Sequence, residues 1–254
     1  MATAALSEAL YGVNPVREAL RAGRRVASRL FLAEGLRPWG PVQEILALAR
    51  ERSCGVERQS RQALFRLAGT REHQGVVLHV GPYPYVDLAE IVAAAHAAGP
   101  AALVLLLDRL QDPQNVGTLL RTAEAVGVQG VILPEHEAVG ITPAVVKASA
   151  GASEHLPVAR VPNLARAIES LRAAGLWVWG LEEDAQALLY TNVDWKGPLA
   201  IVVGSEGEGL RRLVRERCDG LVRLPMRGQV ESLNAAVAGS VILYEIWRCR
   251  GGKP

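Results

Sequence analysis

The sequence predicts an α/β protein: a parallel sheet from residue 101 onward, preceded by a smaller α/β unit. Two observations carry that expectation. From residue 101, short unbroken apolar runs alternate with helical segments. Strands are expected at 103–107, 130–133, 176–180, 199–203 and 221–224, and helices at 116–126, 143–150, 164–174, 208–217 and 233–248. Continuous apolar strands separated by helices belong to parallel sheets buried on both faces. Before that, Gly81-Pro82-Tyr83-Pro84-Tyr85 interrupts the chain, because its prolines suit neither helix nor central strand. The expected division is therefore 1–82, a linker and leading helix at 83–100, and 101–254.

In the front unit, Tyr11-Gly12-Val13-Asn14-Pro15-Val16-Arg17-Glu18-Ala19-Leu20 reads as the start of a helix, with Asn14 as cap and Pro15 in the first turn. A strand is expected at 29–33, an amphipathic helix at 42–51, a short strand at 55–58 and a helix at 62–67. His73-Gln74-Gly75-Val76-Val77-Leu78-His79-Val80 alternates like a strand, and 88–98 reads as a helix. Trp177 and Trp179 alternate along their strand and are read as core or interface packing. There is no internal repeat and no low-complexity segment.

The 254 residues are enough for one large or two modest domains, and a hydrophobic content of 50% is enough for a substantial core. No apolar run reaches transmembrane length, and the opening ten residues lack the basic region and cleavage site of a signal peptide. Cys54, Cys218 and Cys249 have neither disulfide nor metal spacing, which suggests a reducing, cytoplasmic setting. His73, His79, His96, His136 and His155 are scattered too, so no metal site is expected. The net charge of +2 is unevenly placed. Residues 1–82 hold 12 arginines, no lysine and 7 acids, a balance of +5; the remainder is −3. The front unit is the better candidate for holding a polyanion, although an arginine excess also fits a plain solvated surface.

Three loops, each at the C-terminal end of an expected strand, gather polar and small residues. Open α/β sheets bind ligands at such strand ends. The first is Asp108-Arg109-Leu110-Gln111-Asp112-Pro113-Gln114-Asn115-Val116-Gly117-Thr118-Leu119-Leu120-Arg121. Asn115 could cap the following helix. Arg121 lies one turn beyond Gly117 and Thr118, where a guanidinium and a helix start could hold an anion; an exposed arginine on an amphipathic helix fits as well. The second is Gly204-Ser205-Glu206-Gly207-Glu208-Gly209-Leu210. Three glycines after a buried strand imply a tight turn with exposed backbone N–H groups. The spacing is not the dinucleotide fingerprint, no Walker-type lysine follows, and Glu206 and Glu208 would repel phosphate, so a neutral or cationic ligand suits it better. The third runs from Leu224-Pro225-Met226 to Ser232-Leu233-Asn234. Ser232 and Asn234 are both good helix caps, and the helix beyond is lined with Ala, Gly and Ser, which permit close approach. An ordinary buried helix would show the same spacing. None of the loops pairs a Ser or Cys nucleophile with a His, so the chemistry should rest on positioning.

Taken in order, these stretches resemble the three motifs of the SpoU (TrmH) family, within the SPOUT class of RNA 2′-O-ribose methyltransferases. The likeness also covers Thr142-Pro143-Ala144-Val145-Val146-Lys147-Ala148-Ser149-Ala150-Gly151-Ala152. At the front, Tyr11 to Leu20 and His73-Gln74-Gly75-Val76-Val77 resemble the substrate-binding domain, similar to ribosomal protein L30e, of the RlmB-type 23S rRNA guanosine methyltransferases.

The resemblance implies an L30e-like N-terminal α/β domain and a C-terminal SPOUT α/β domain with a deep trefoil knot, a rare exception to unknotted topology. It implies a homodimer that uses S-adenosylmethionine, with no metal and no membrane. Gly204, Leu224, Met226 and Leu233 are the implied cofactor-binding residues. Asn115, Arg121, Glu206, Ser232 and Asn234 are the implied catalytic-site residues, with Arg121 working near the partner subunit's cofactor. The implied activity is methylation of an RNA ribose 2′-hydroxyl, most closely a guanosine of 23S rRNA. The alternatives are the same chemistry on tRNA or another rRNA site, or a catalytically inactive RNA-binding or ribosome-assembly protein.

Overall fold

The computed structural model describes residues 7–230 and 232–252; most of the opening stretch read above for a leader lies outside them. The chain forms two compact units, one of Met1–Pro84 with Ile141–His155, the other of Tyr85–Gly140 with Leu156–Pro254.

The first unit holds β1 (Glu8–Tyr11), α1 (Val13–Ala22), β2 (Ala27–Ala33), α2 (Gly40–Glu51), β3 (Gly55–Gln59), α3 (Arg61–Ala68) and β4 (Val76–Val80). The sheet order is β1-β4-β2-β3, with β2 and β3 parallel and the other pairs antiparallel. Three sequence expectations change here. β1 occupies residues left unassigned, because a four-residue edge strand carries too little periodicity to be read alone. The cap of α1 is Gly12, not Asn14: Gly12 has φ +94°, a left-handed conformation that favours glycine, and Val16 N–H donates to its carbonyl. The 73–80 strand is shorter than expected, since His73 and Gln74 form a turn closed by Gly75 N–H donating to His73 Nδ1.

The helix expected over 143–150, here α6 (Pro143–Ala148), belongs to this first unit rather than to the second. A buried charge cluster holds its segment. The Arg25 guanidinium donates to Glu154 Oε1 at 2.8 Å and to Glu8 Oε2 at 2.7 Å, and lies 4.9 Å from the centre of the Tyr83 ring. Tyr83 donates to Ser153 O at 2.9 Å, and burial pushes its hydroxyl up to about 12, so it stays protonated. At the rim, His155 Nε2 meets Glu18 Oε2 at 3.0 Å. Burial pushes the Glu18 carboxyl up, but His155, Arg17 and Arg21 outweigh it and hold it below its usual range. A carboxylate with a depressed folded pKa stabilises fully above its unfolded value, and that contribution is lost as pH falls through the folded one. Glu18→Gln should therefore melt below the parent at pH 7, with the gap closing toward pH 3. A gap independent of pH in thermal melts would contradict this.

The second unit begins with α4 (Leu88–Ala98). It continues through β5 (Leu103–Leu107), α5 (Pro113–Ala125), β6 (Gly130–Pro134), β7 (Val158–Val161), α7 (Leu164–Ala173), β8 (Trp177–Leu181), β9 (Leu188–Leu189), β10 (Leu199–Val203), α8 (Arg212–Arg217), β11 (Gly220–Arg223) and α9 (Ala235–Cys249). The seven strands are all parallel, in the order β7-β6-β5-β10-β8-β11-β9. β5, β6 and β10 are buried at every position, as their unbroken apolar runs require. β7 escaped the sequence reading because exposed Arg160 interrupts it at the sheet edge, and β9 has only two residues. Trp177 is exposed, while Trp179 packs edge-on against buried Trp195.

Successive strands β5, β6 and β7 step one way from the sheet centre, and β10, β8 and β11 lie the other way. Parallel sheets bind ligands where the order reverses, outside the carboxyl ends of the strands. α9 reaches this edge by packing on α5, and Gly239 is what lets it. A Cβ there would stand 2.6 Å from Leu119 Cδ2 and 3.0 Å from Val203 Cγ2. At the next residue of α9, the Ser240 hydroxyl meets that of Thr122 at 2.8 Å.

Candidate active site

A cleft of about 540 Å³ opens at the carboxyl ends of β8, β10 and β11, a volume in the range that holds a cofactor-sized molecule. Gly204, Leu224, Met226 and Leu233 all line it, as do Glu206, Ser232 and Asn234. Its floor is backbone. Ser205 and Gly209 exchange N–H···O bonds of 3.2 and 3.1 Å, closing the turn after β10. Gly207 and Gly209 sit at φ +83° and +64°. This turn explains why α8 starts at Arg212 and not at 208 as expected: a left-handed residue cannot be part of a right-handed helix. Gly204 lies so close beneath the turn that a Cβ would stand 2.5 Å from the Gly209 carbonyl.

The three loops meet on one carboxylate oxygen. Glu206 Oε1 accepts from Asn115 Nδ2 at 3.0 Å, from Asn234 Nδ2, and from Ala235 N–H at 3.4 Å. Asn234 Nδ2 also donates to Asn115 Oδ1 at 2.9 Å. On its other side, Asn234 Oδ1 accepts from Ala236 N–H at 3.0 Å and Val237 N–H at 3.2 Å, which makes it the cap of α9. A carboxylate accepting several N–H groups holds its loops more firmly than a neutral acceptor. Ser232, the other expected cap, lies at the cleft without capping the helix. Asn115 does not cap α5: Asp112 does, accepting from Gln114 N–H at 3.1 Å, with Pro113 as the first helical residue. Asn115 is left free to reach across to Glu206.

Arg121 is exposed on α5 and does not line the cleft; no hydrogen bond or ion pair joins it to another described residue. It is also not a partner of Glu206. The sequence reading missed the carboxylates of β8's end. Glu182 Oε2 accepts from Leu210 N–H at 2.9 Å and its carboxyl lies against Gly209, so it props the glycine turn from behind. Asp108, fully buried, accepts from Arg211 N–H and Nε at 2.9 and 2.7 Å and anchors the far side. Both could have been suspected, since each directly follows a strand of the parallel sheet. Glu183, Glu206 and Glu208 also stand on the wall, against the single guanidinium of Arg223 among the described residues, so the lining is predominantly acidic. Among the described residues no group of three or more His, Cys, Asp or Glu could hold a metal ion, and no helix is long and apolar enough to cross a membrane.

This arrangement of sheet order, glycine turn and capped helix places the molecule among the SPOUT-type α/β proteins, consistent with their trefoil-knotted arrangement. The sequence model of the SpoU rRNA Methylase family matches residues 102–244, and that for RNA 2′-O ribose methyltransferase substrate binding matches residues 9–86. The chain belongs to the SpoU rRNA Methylase family and is an enzyme of that family. It is 43% identical over 239 residues to a putative TrmH family tRNA/rRNA methyltransferase, YacO, of Bacillus subtilis, covering 94% of each chain. A putative TrmH family tRNA/rRNA methyltransferase of Staphylococcus saprophyticus is 41% identical, with 95% of each chain covered. Among solved structures, the SpoU methyltransferase AviRb of Streptomyces viridochromogenes in complex with AdoMet superposes with a TM-score of 0.80 at 29% identity, over 98% of this chain and 92% of that one. The AdoMet-bound rRNA methyltransferase of Sinorhizobium meliloti gives 0.78 at 27% identity, over 95% and 87%.

Proposed function

We propose that this protein transfers a methyl group from S-adenosylmethionine to a ribose 2′-hydroxyl of RNA, with a guanosine of 23S rRNA as target, and that it works in the cytoplasm as a homodimer. The observation that carries the reading is the meeting of Asn115, Glu206 and Asn234 on one oxygen at the rim of a cleft lined by Gly204, Leu224, Met226 and Leu233. The cleft suits the cofactor by its chemistry. Acidic walls favour a cation, apolar Leu224, Met226 and Leu233 suit a flat ring, and the glycine turn brings backbone groups close. When bound, S-adenosylmethionine supplies an electrophilic methyl carbon that needs no further activation.

The chain's own task is the nucleophile. A 2′-hydroxyl attacks only as it loses its proton, yet among the described residues no histidine lines the cleft. The guanidinium of Arg121 is a cation and a hydrogen-bond donor, not a base. It grips the neighbouring phosphate and stabilises the developing alkoxide, while that phosphate or a water takes the proton. Glu206, Asn115 and Asn234 hold the loops in register for this, and Ser232 borders the reacting sugar.

Arg121 meets a cleft through a second copy of the chain. Along α9, Val237, Val241 and Tyr244 recur at helical spacing and are 48%, 38% and 50% exposed, and Leu233 at its start is 41% exposed. An apolar stripe of this kind marks an association surface. A two-fold axis there would pair it with itself and bring each Arg121 toward the other cleft. Methylation of tRNA is the second reading, favoured by the tRNA/rRNA description of the relatives.

The test is methyl transfer from labelled S-adenosylmethionine to unmodified 23S rRNA, 16S rRNA and tRNA, with mapping of the product. Label on a 23S guanosine O2′ is expected. Label confined to tRNA would establish the second reading, and cofactor binding without transfer to any RNA would overturn both.

A further inference from the structure

One end of the first unit's sheet carries a surface that the cleft does not account for. β2 and β3 are parallel, with Ala33 opposite Gln59, and β4 runs the other way, so Val76 begins where they end. Tyr11, the last residue of β1, pairs with Val77 at the same end. Loops 34–39, 60–61 and 70–75 are thereby gathered together. Arg58, on β3, holds the first of them, donating from Nη1 to Ala33 O at 3.3 Å and to Leu36 O at 3.2 Å. Gly75 is packed against Ala33 and Leu36, and Arg61 lies close enough to buried His73 to help burial lower its pKa.

Elsewhere on this unit several arginines are neutralised, Arg17 and Arg21 by Glu18, Arg25 by Glu8 and Glu154, Arg29 by Glu57, while Arg50, Arg52 and Arg66, set apart on the helices and their ends, form no ion pair with a described residue. At the loop end, Arg37, Arg58, Arg61 and Arg71 are all exposed and none forms an ion pair with a described residue. The carboxylates nearby in sequence are Glu34 and Glu72, both exposed, and Glu57, which pairs with Arg29. α1, α2 and α3 all start at this end, and none has an acidic residue in its first turn. Two residues beyond Arg37 stands Trp39, 54% exposed at the start of α2 and outside the core cluster of Phe31, Ala33, Leu64 and Val77. Burying that indole would be favourable, and folding has not done it.

We infer that this loop end is the RNA-docking surface, with Trp39 stacking on an unpaired base and Arg37, Arg58, Arg61 and Arg71 holding the flanking phosphates. An uncompensated set of guanidiniums beside one exposed indole is the combination single-stranded nucleic acid requires, since every base has a π-face and every linkage a charge. A duplex would leave the indole without a partner, so the surface selects a loop or bulge. The inference rests on the RNA-methylating reading above and goes further by placing the RNA on named residues.

Binding of full-length protein to unmodified 23S rRNA is compared for wild type, Trp39→Ala, Trp39→Phe and Arg37→Glu/Arg61→Glu, across a salt series. Each variant's melting curve and S-adenosylmethionine affinity serve as controls. Trp39→Ala should weaken RNA binding about tenfold and Trp39→Phe should restore most of it. The charge reversals should flatten the salt dependence, by roughly 0.7 in log–log slope for each phosphate no longer held. Unchanged affinity in Trp39→Ala, or an unchanged salt slope in the charge variant, overturns the surface while leaving the enzymatic reading intact. A wild type that neither binds nor methylates RNA overturns the enzymatic reading and this surface with it.

Discussion

Arg121→Ala should lower methyl transfer by a factor of about 10²–10³ while leaving folding and S-adenosylmethionine affinity unchanged. That is the range over which removing one donor aimed at developing charge costs an enzyme its rate. The arginine is exposed and joined to no described residue, so its removal strands no buried partner and stability should hold. It lies outside the cleft lining, so ground-state cofactor binding should hold as well. Arg121→Lys should recover only part of the rate, because a point charge cannot make the two-pronged contact of a guanidinium. Within a dimer the loss should be complementable. Mixing Arg121→Ala with a cleft-defective variant such as Gly204→Ala should produce hybrid dimers in which one intact cleft faces one intact arginine. Near-normal turnover in Arg121→Ala alone would reject the role. A rate restored in no hybrid would place arginine and cleft in the same chain.

The second large effect concerns stability. Arg25→Ala should cost about 3–5 kcal/mol, the range for breaking a buried ion pair from one side, and lower the melting temperature by roughly 10 °C. Both Arg25 and Glu154 have side chains only 1% exposed, so water cannot replace the absent partner. The guanidinium is already stretched over its neighbours: Nε is buried with no acceptor, while Nη1 and Nη2 serve Glu8 and Glu154. Burial pushes the Glu154 carboxyl up even with Arg25 beside it. Without Arg25 it would take up a proton. A carboxyl with a raised folded pKa costs nothing below its unfolded pKa, and its cost grows as pH rises toward the folded value. The deficit should therefore shrink in acid and be fullest near neutrality. Adding Glu154→Leu should recover much of the loss, because the stranded charge is then gone. A deficit below about 1 kcal/mol would class the pair with screened surface contacts.

The same cluster shows why part of the architecture was hidden. Arg25 and Glu154 are far apart in sequence, and nothing local in Pro143 to His155 says which unit it packs against; its helical spacing reads correctly, its allegiance does not. The edge strands β1, β7 and β9 were missed for a related reason. A short strand interrupted by an arginine, or by the chain's own brevity, has its pairing decided by its neighbours. In contrast, β5, β6 and β10 were legible because burial on both faces demands unbroken apolar runs. At the cleft, Gly204, Leu224, Met226 and Leu233 share the lining, whereas neither Asn115, which lies inside α5, nor Ser232 caps a helix.

By itself the sequence determined the alternation of strand and helix, the glycine turn after β10, the small-residue face of α9 and the uneven placing of arginine, because each depends on residues close along the chain. Only the tertiary structure decided that Glu206 joins Asn115 to Asn234 and not to Arg121, that Glu182 props the turn, and that Trp39 stands at the loop end where Arg37, Arg58, Arg61 and Arg71 gather. A hydrogen bond acts over some 3 Å whatever the separation in sequence, so partners 91 and 119 residues apart, as in the Asn115–Glu206 and Asn115–Asn234 bonds, become visible only when the sheet has brought their loops to one edge.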